Sequence, residues 1–427
     1  MNDVLKKMDA SEDGPGVEIQ PFGDLCRRDA VQRPHMDCMQ PHRELHDMVV
    51  HLTVTGRCNA RCQGCVNTAL TFESGRGTVV QEFESVPERD AILVSLLAQR
   101  AKGSAVTVAL YGGEPLLEPE RILHLMDGIT ASVSSRGVRF MLYTNGQLLD
   151  RVVASHPTIF RDVFLVSVSV DGQAEQHARH RPGTDVQTIQ LGLERLRTVY
   201  EGEVLFWSTL REEQSLTDCF RQFERFHSMG LASQMFWHWV DSPKPYVNFG
   251  QYARRYAAEL TEIMDVYVDD LRAGRILPLC HVNELVLYLL EGTRRGHSAC
   301  AVELAENFDI VGGRVTACAD LPLSIGQIPV GEQDPIDPDL GHLVGYREVL
   351  GCDECGVDFY CGGRCPVQVL AGSPERTRQI CQLMRLHVGI VGRRLGDIVA
   401  AMVANGLRTQ DMYDRSACIT RYTDVVP

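Results

Sequence analysis

The chain reads as an α/β protein built on an open barrel of six β/α units, and three observations predict it. Short β-branched runs alternate with helical stretches from Met48 to Val240, the pattern of parallel βαβ units. Residues of marked chemical character follow the ends of those runs, where a barrel of parallel strands places its site. Cysteines crowd two places, just after the first run and again from Cys300 onward.

Strands are predicted over Met48 to Val54, Ala105 to Leu110, Val138 to Tyr143, Val163 to Val170, Val204 to Leu210 and Gln234 to Val240. Six units, short of the eight of a closed barrel, make a partial (β/α)6 TIM-like barrel. Between them, Ser85-Val86-Pro87-Glu88 reads as a capping box opening a helix through Gln99. Pro119 to Ser132, Thr188 to Tyr200 and Ser215 to Met229 are further helices, the last closed by Gly230. The organisation expected is an N-terminal extension (1–47), the barrel (48–245), a helical bridge (246–295), a cysteine-rich domain (296–385) and a C-terminal helix and tail (386–427). After Cys381 a helix is expected to run to Ala404 and stop at Asn405-Gly406. His238, Trp239 and Tyr246, following the sixth strand, read as core packing rather than substrate contacts.

The net charge of −14 argues against a nucleic-acid surface, which needs a basic patch. No run of 18 apolar residues is present to span a membrane, and Met1 to Gln20 lacks the apolar segment of a secretory signal. Fifteen cysteines, an odd number without an export signal, point to a reducing, cytoplasmic setting with thiols kept for metal. Cys26 and Cys38 read as ordinary thiols, and Cys219, Cys280 and Cys418 carry no assignment.

After the first strand comes Cys58-x3-Cys62-x2-Cys65. Three thiolates can hold three irons of a 4Fe–4S cube and leave the fourth iron open to a ligand. A zinc site with a distant fourth ligand, or three unrelated buried thiols, are the alternatives at this point. After the second strand comes Tyr111-Gly112-Gly113-Glu114-Pro115. Two glycines allow backbone to approach a ligand, and the Glu114 carboxylate can accept from an ammonium group.

The cysteine spacing, one β/α unit before Gly112-Gly113-Glu114, resembles the radical S-adenosylmethionine (radical SAM) superfamily. The resemblance implies that Cys58, Cys62 and Cys65 hold a 4Fe–4S cluster whose open iron binds S-adenosylmethionine, cleaved to a 5′-deoxyadenosyl radical. It implies that Gly112, Gly113 and Glu114 receive the SAM amino group. Thr144-Asn145-Gly146 and Ser169-Val170-Asp171-Gly172 resemble segments lining the SAM pocket, with Thr144, Asn145, Ser169 and Asp171 as contacts. His177 and Arg181 resemble an H-x3-R element, with Arg181 a partner for the SAM carboxylate. Where relatives often carry an aromatic residue before the third cysteine, this chain has Gly64.

The later cysteines run Cys300-x12-Gly313-x4-Cys318, then Cys352-x2-Cys355-x5-Cys361-x3-Cys365, then Cys381, with Gly312-Gly313 the turn of a hairpin. A zinc ribbon would use four of them. The full pattern is similar to the SPASM domain of radical SAM enzymes, which carries two auxiliary 4Fe–4S clusters, three clusters in all. By that resemblance Cys352, Cys355, Cys361 and Cys381 serve a distal cluster, and Cys300, Cys318 and Cys365 a proximal one. Arg294 stands where some relatives place an eighth cysteine, so His297, Cys280 or an open iron completes the proximal set. Asp320 follows Cys318 by two residues, one later than the aspartate base of sulfatase-maturing relatives, and is the candidate catalytic residue.

The activity these resemblances imply is hydrogen abstraction from a peptide or protein, installing a cross-link, oxidation or epimerisation, with an external electron donor such as flavodoxin or ferredoxin as partner. The rivals are a radical dehydrogenase of a small alcohol or sugar and a non-catalytic Fe–S scaffold.

Overall fold

In the computed structural model, strand β1, Met48–Thr55, is buried along its whole length and lies inside a nine-stranded sheet. The described residues are 48–65, 83–101, 105–133, 137–321, 323–330, 338–370, 372–423 and 425–427. The expected N-terminal extension, with Cys26 and Cys38, lies outside them. Strands β2 (Ala105–Gly112), β3 (Gly137–Thr144), β4 (Val163–Ser169), β5 (Glu203–Leu210) and β6 (Gln234–Trp239) follow β1 in order, every neighbour parallel. The sequence thus predicted all six strands to within a few residues. Their side chains alternate between two clusters. Val50, Leu52, Val108 and Leu110 pack outward under the helices, whereas Val49, Ala109, Met141, Leu165, Leu205 and Phe236 fill the inside.

The hairpin expected at Gly312-Gly313 is present as β7 (Asn307–Val311) and β8 (Arg314–Thr316), followed by β9 (Gln327–Ile328). Strand β7 pairs parallel to β1, His51 standing opposite Asp309. The barrel sheet therefore continues into the cysteine-rich region, and that region meets the loop after β1.

Two local expectations change. The helix Pro87–Ala98 begins at Val86, and Ser85 does not cap it. Asp90 does the work instead: its carboxylate accepts from the Val86 amide at 3.1 Å and from the Ser85 hydroxyl, while Glu88 takes no part in these bonds. Cys381 does not precede a helix but lies within one, Pro374–Arg393, started by Ser373 accepting from the Arg376 amide at 3.2 Å. A second helix, Leu395–Asn405, ends at Gly406 with φ +64°, as the Asn-Gly pair predicted. Among the described residues, no helix is long and apolar enough to cross a membrane.

Candidate active site

The loops leaving the strand ends interlock. The Gly113 amide donates to the Thr55 carbonyl and the Glu114 amide to the Arg57 carbonyl, each at 2.8 Å, so the β2 loop lies against the cysteine loop. A Cβ on Gly113 would stand 2.1 Å from the Arg57 carbonyl oxygen; one on Gly112, at φ +130°, would stand 2.4 Å from that of Thr55. The pair is demanded by neighbouring backbone, where the sequence suggested only approach to a ligand. Gly113→Ala is expected to destabilise the fold by about 1–3 kcal/mol through overpacking, read as a lowered urea midpoint. Gly64 takes φ +60° and faces Val240, 2.7 Å from where a Cβ would lie, so an aromatic residue does not fit there.

A cavity of about 260 Å³ opens at this rim. Cys58, Cys62 and Cys65 line one part of it and Cys300, Cys318 and Cys365 another. Gly112, Gly113, Thr144, Asn145, Ser169 and Arg181 line the same cavity. A second cavity, of about 40 Å³, is lined by Cys352, Cys355, Cys361 and Cys381, with Cys365 also on its wall. Of the seven later cysteines, Cys300 and Cys318 line the first of these two cavities, Cys352, Cys355, Cys361 and Cys381 the second, and Cys365 both. All thirteen cysteines among the described residues are free thiols. Among those residues no three His, Cys, Asp or Glu side chains converge as ligands of a single ion. A cube spreads its cysteine ligands over separate irons, so the demand on their spacing is different.

Three of these sulfurs have N–H groups within reach, the kind of partner that thiolates on a cluster use. Cys58 Sγ lies 3.4 Å from the Ala60 amide and 3.9 Å from Asn145 Nδ2. Cys62 Sγ lies 3.7 Å from an Arg181 Nη, and Cys355 Sγ 3.7 Å from an Arg385 Nη. Soft donors in two sets, each with polar N–H partners, suit Fe–S clusters.

Two expected cofactor contacts sit behind the wall rather than on it. Glu114 is fully buried, its carboxylate accepting from the Leu116 amide (3.1 Å), the Thr144 hydroxyl (2.8 Å) and the Asn145 amide (2.7 Å). Burial pushes its carboxyl up to about 7 against the pull of those donors. Its side chain ties the β2 and β3 loops together and leaves the cavity to the glycine backbone. Asp171 is likewise fully buried. It accepts from Arg181 Nε and Arg211 Nη1, both at 2.7 Å, and from the Thr209 amide at 2.9 Å. Burial pushes its carboxyl up, but the Arg181 and Arg211 charges outweigh that and hold it well below the usual range. His177, pushed down to about 4 by burial, accepts from the Asp171 amide at 3.1 Å through Nδ1. The H-x3-R element thus fixes Asp171 from two sides, and Asp171 holds Arg181 at the cavity wall.

Arg211, one residue past β5, escaped sequence reading although a cation at a strand end was the available signal. A wall of rings did so as well. His51, Tyr111, Tyr143, Trp207 and His238, one from each of five strands, line the cavity. Their successive centroids lie 6.2 Å (His51–Tyr111), 5.7 Å (Tyr111–Tyr143), 5.7 Å (Tyr143–Trp207) and 5.6 Å (Trp207–His238) apart. His238 is therefore on the wall, whereas Trp239 and Tyr246 are core, as expected.

Asp320 reaches the cavity together with Ala319. Strand β8 ends at Thr316, so both lie in the turn beyond it and strand alternation does not separate them. Cys280 is wholly buried in the barrel interior, whereas His297 lines a neighbouring hollow on whose wall Cys300 also stands. A larger outer groove, about 830 Å³ between the helices Ala174–His180, Val186–Leu196 and Leu216–Ser228, carries no cysteine.

A family described as a 4Fe-4S single cluster domain matches residues 48–189. The chain is similar to the solved structure of native anSMEcpe with bound AdoMet, at 17% identity, covering 83% of this chain and 100% of that one, with a TM-score of 0.60. It is similar also to native anSMEcpe with bound AdoMet and Cp18Cys peptide, at 17% identity, covering 84% and 100%, with a TM-score of 0.59. No curated protein sequence matches it significantly. Fold and site together define a partial α/β barrel with a cysteine loop on its first strand. The chain has the fold of anSMEcpe.

Proposed function

We propose that the protein is a radical SAM enzyme that modifies a peptide or protein at an unactivated C–H bond. One observation carries the reading: a single cavity is shared by Cys58, Cys62 and Cys65, the Gly112-Gly113 backbone, and Cys300, Cys318 and Cys365. Cys58, Cys62 and Cys65 would hold a 4Fe–4S cluster, which would supply an electron for the reductive cleavage of SAM. The remaining steps of binding and orientation belong to this chain. The Gly112-Gly113 backbone and Arg181, which line the same cavity, would receive the SAM amino group and carboxylate respectively. Asn145 bridges the β1 and β3 loops through Asn59 Oδ1 at 2.7 Å, which holds the wall beside Cys58. The aromatic wall excludes water from the space beyond.

The peptide class is supported by the similarity to anSMEcpe, solved with bound peptide, and by the second cysteine set on the same cavity. Asp320 is the proposed base for the proton lost when a substrate radical is oxidised, since it lies on that cavity. The abundance of thiols supports a reducing compartment, with a flavodoxin- or ferredoxin-like protein as the proposed electron donor. Anaerobically reconstituted protein is expected to bind about twelve irons, about four per cluster, and to release 5′-deoxyadenosine from SAM with dithionite. Iron near four with stoichiometric zinc would remove the auxiliary clusters, and absence of 5′-deoxyadenosine would remove the radical chemistry.

A further inference from the structure

We infer that residues 417–423 and 425–427 form the floor of the substrate cavity, and that Thr423 and Val425 set how deep a substrate reaches. This rests on the reading of that cavity as the SAM site. The inside of the barrel is apolar, and its lower mouth, where the strands begin, needs a cover to keep Val49, Met141, Leu165 and Leu205 from water. The turn Ala417–Tyr422 supplies it. Gln234, opening β6, donates to the Arg415 carbonyl at 2.8 Å, and Ile419 and Tyr422 are buried among those interior residues.

Tyr422 is the anchor. Its hydroxyl accepts from an Arg139 Nη at 2.9 Å, and its carbonyl accepts from the Tyr143 hydroxyl at 2.8 Å. Its ring meets Phe164 edge-on at 5.1 Å, and the Arg139 guanidinium lies 5.1 Å from the Phe164 centroid and 5.9 Å from that of Tyr422. From this anchor the chain rises inside the barrel. Thr423 and Val425 line the cavity that holds the two cysteine sets, and Val426 is 2% exposed. Pro427 O accepts from Arg364 Nε at 3.2 Å, and Arg364 pairs with Asp241 at 2.9 Å on the cavity wall. The segment thus crosses from β3 to the residue preceding Cys365. A substrate entering past the cysteines meets Thr423 and Val425, and Tyr143 couples that floor to Thr144 and Asn145 on the SAM-facing wall.

The test uses the reconstituted full chain carrying Val425→Cys, with alkylation of each thiol followed by peptide mass spectrometry. Iodoacetamide is expected to reach the introduced thiol and bulky maleimide–biotin to fail. SAM at about ten times its Kd should slow iodoacetamide about tenfold, by filling the cavity above the introduced thiol, and leave Cys418 unaffected. Thr423→Cys repeats the measurement should the first variant not fold. Tyr422→Ala should raise amide exchange across 417–423 toward that of exposed chain. Alkylation equally fast with and without SAM, or ready maleimide labelling, overturns the floor when 5′-deoxyadenosine is still formed. Loss of SAM binding and cleavage in the unsubstituted protein would overturn the SAM reading instead.

Discussion

Alanine at Cys58, Cys62 and Cys65 together is expected to reduce 5′-deoxyadenosine formation to background while about eight of about twelve irons remain bound. The three thiols lie on a loop whose backbone is held from both sides, by Gly113 and Glu114 amides and by the Arg61 amide donating to the Pro182 carbonyl at 2.8 Å. Alanine should therefore leave the loop in place and remove only the sulfurs. Cys352, Cys355, Cys361 and Cys381 line a separate cavity, so their cluster should be indifferent to the change. Cys300, Cys318 and Cys365 share the first cavity but come from other loops, and their iron should also persist. Iron analysis and chromatography of the nucleoside product check the two halves independently. Persisting 5′-deoxyadenosine would mean that SAM is cleaved elsewhere.

Asp171→Asn is expected to lower stability at pH 7 by about 3–5 kcal/mol, because it leaves two buried guanidinium groups without their anion. Asp171 is 0% exposed, Arg181 8% and Arg211 7%, so water does not screen the loss. The pH dependence has a defined sign. The native carboxyl of Asp171 is held below its ordinary value, so its contribution is present above about pH 4, the unfolded value, and lost as pH falls toward the native one. The variant should lack that share of the acid-side loss. Urea unfolding between pH 3 and pH 7 measures both effects as shifts of midpoint at constant slope. A variant with an unchanged midpoint at pH 7 would show that Arg181 and Arg211 are held by their other partners. The same substitution should weaken SAM binding, since Arg181 stands at the wall beside Cys62 through Asp171.

Composition and periodicity by themselves determined the barrel of this protein. Each of the six strands is a β-branched or aromatic run buried on both faces, so its signal is local and survives without knowledge of its neighbours. Cysteine spacing likewise placed Cys58, Cys62 and Cys65 on one cavity, because a loop of a few residues keeps its own side chains close whatever surrounds it. The direction of side chains at the site is not local in this way. Glu114 and Asp171 have the residue types of ligand contacts, yet both are fully buried behind the cavity wall, and each accepts from donors 30 or more residues away as well as from nearer ones. The glycine pair at 112 and 113 answers to backbone 55 to 57, a contact made only when β1 and β2 lie side by side. Arg211, the ring of aromatic side chains and the floor carried by Tyr422 are assembled from separate strands or from the far end of this sequence. No spacing along the chain records that they meet. Tertiary structure decided these because hydrogen bonds and packing depend on distance in space, whereas strand periodicity and loop spacing depend on distance along the chain.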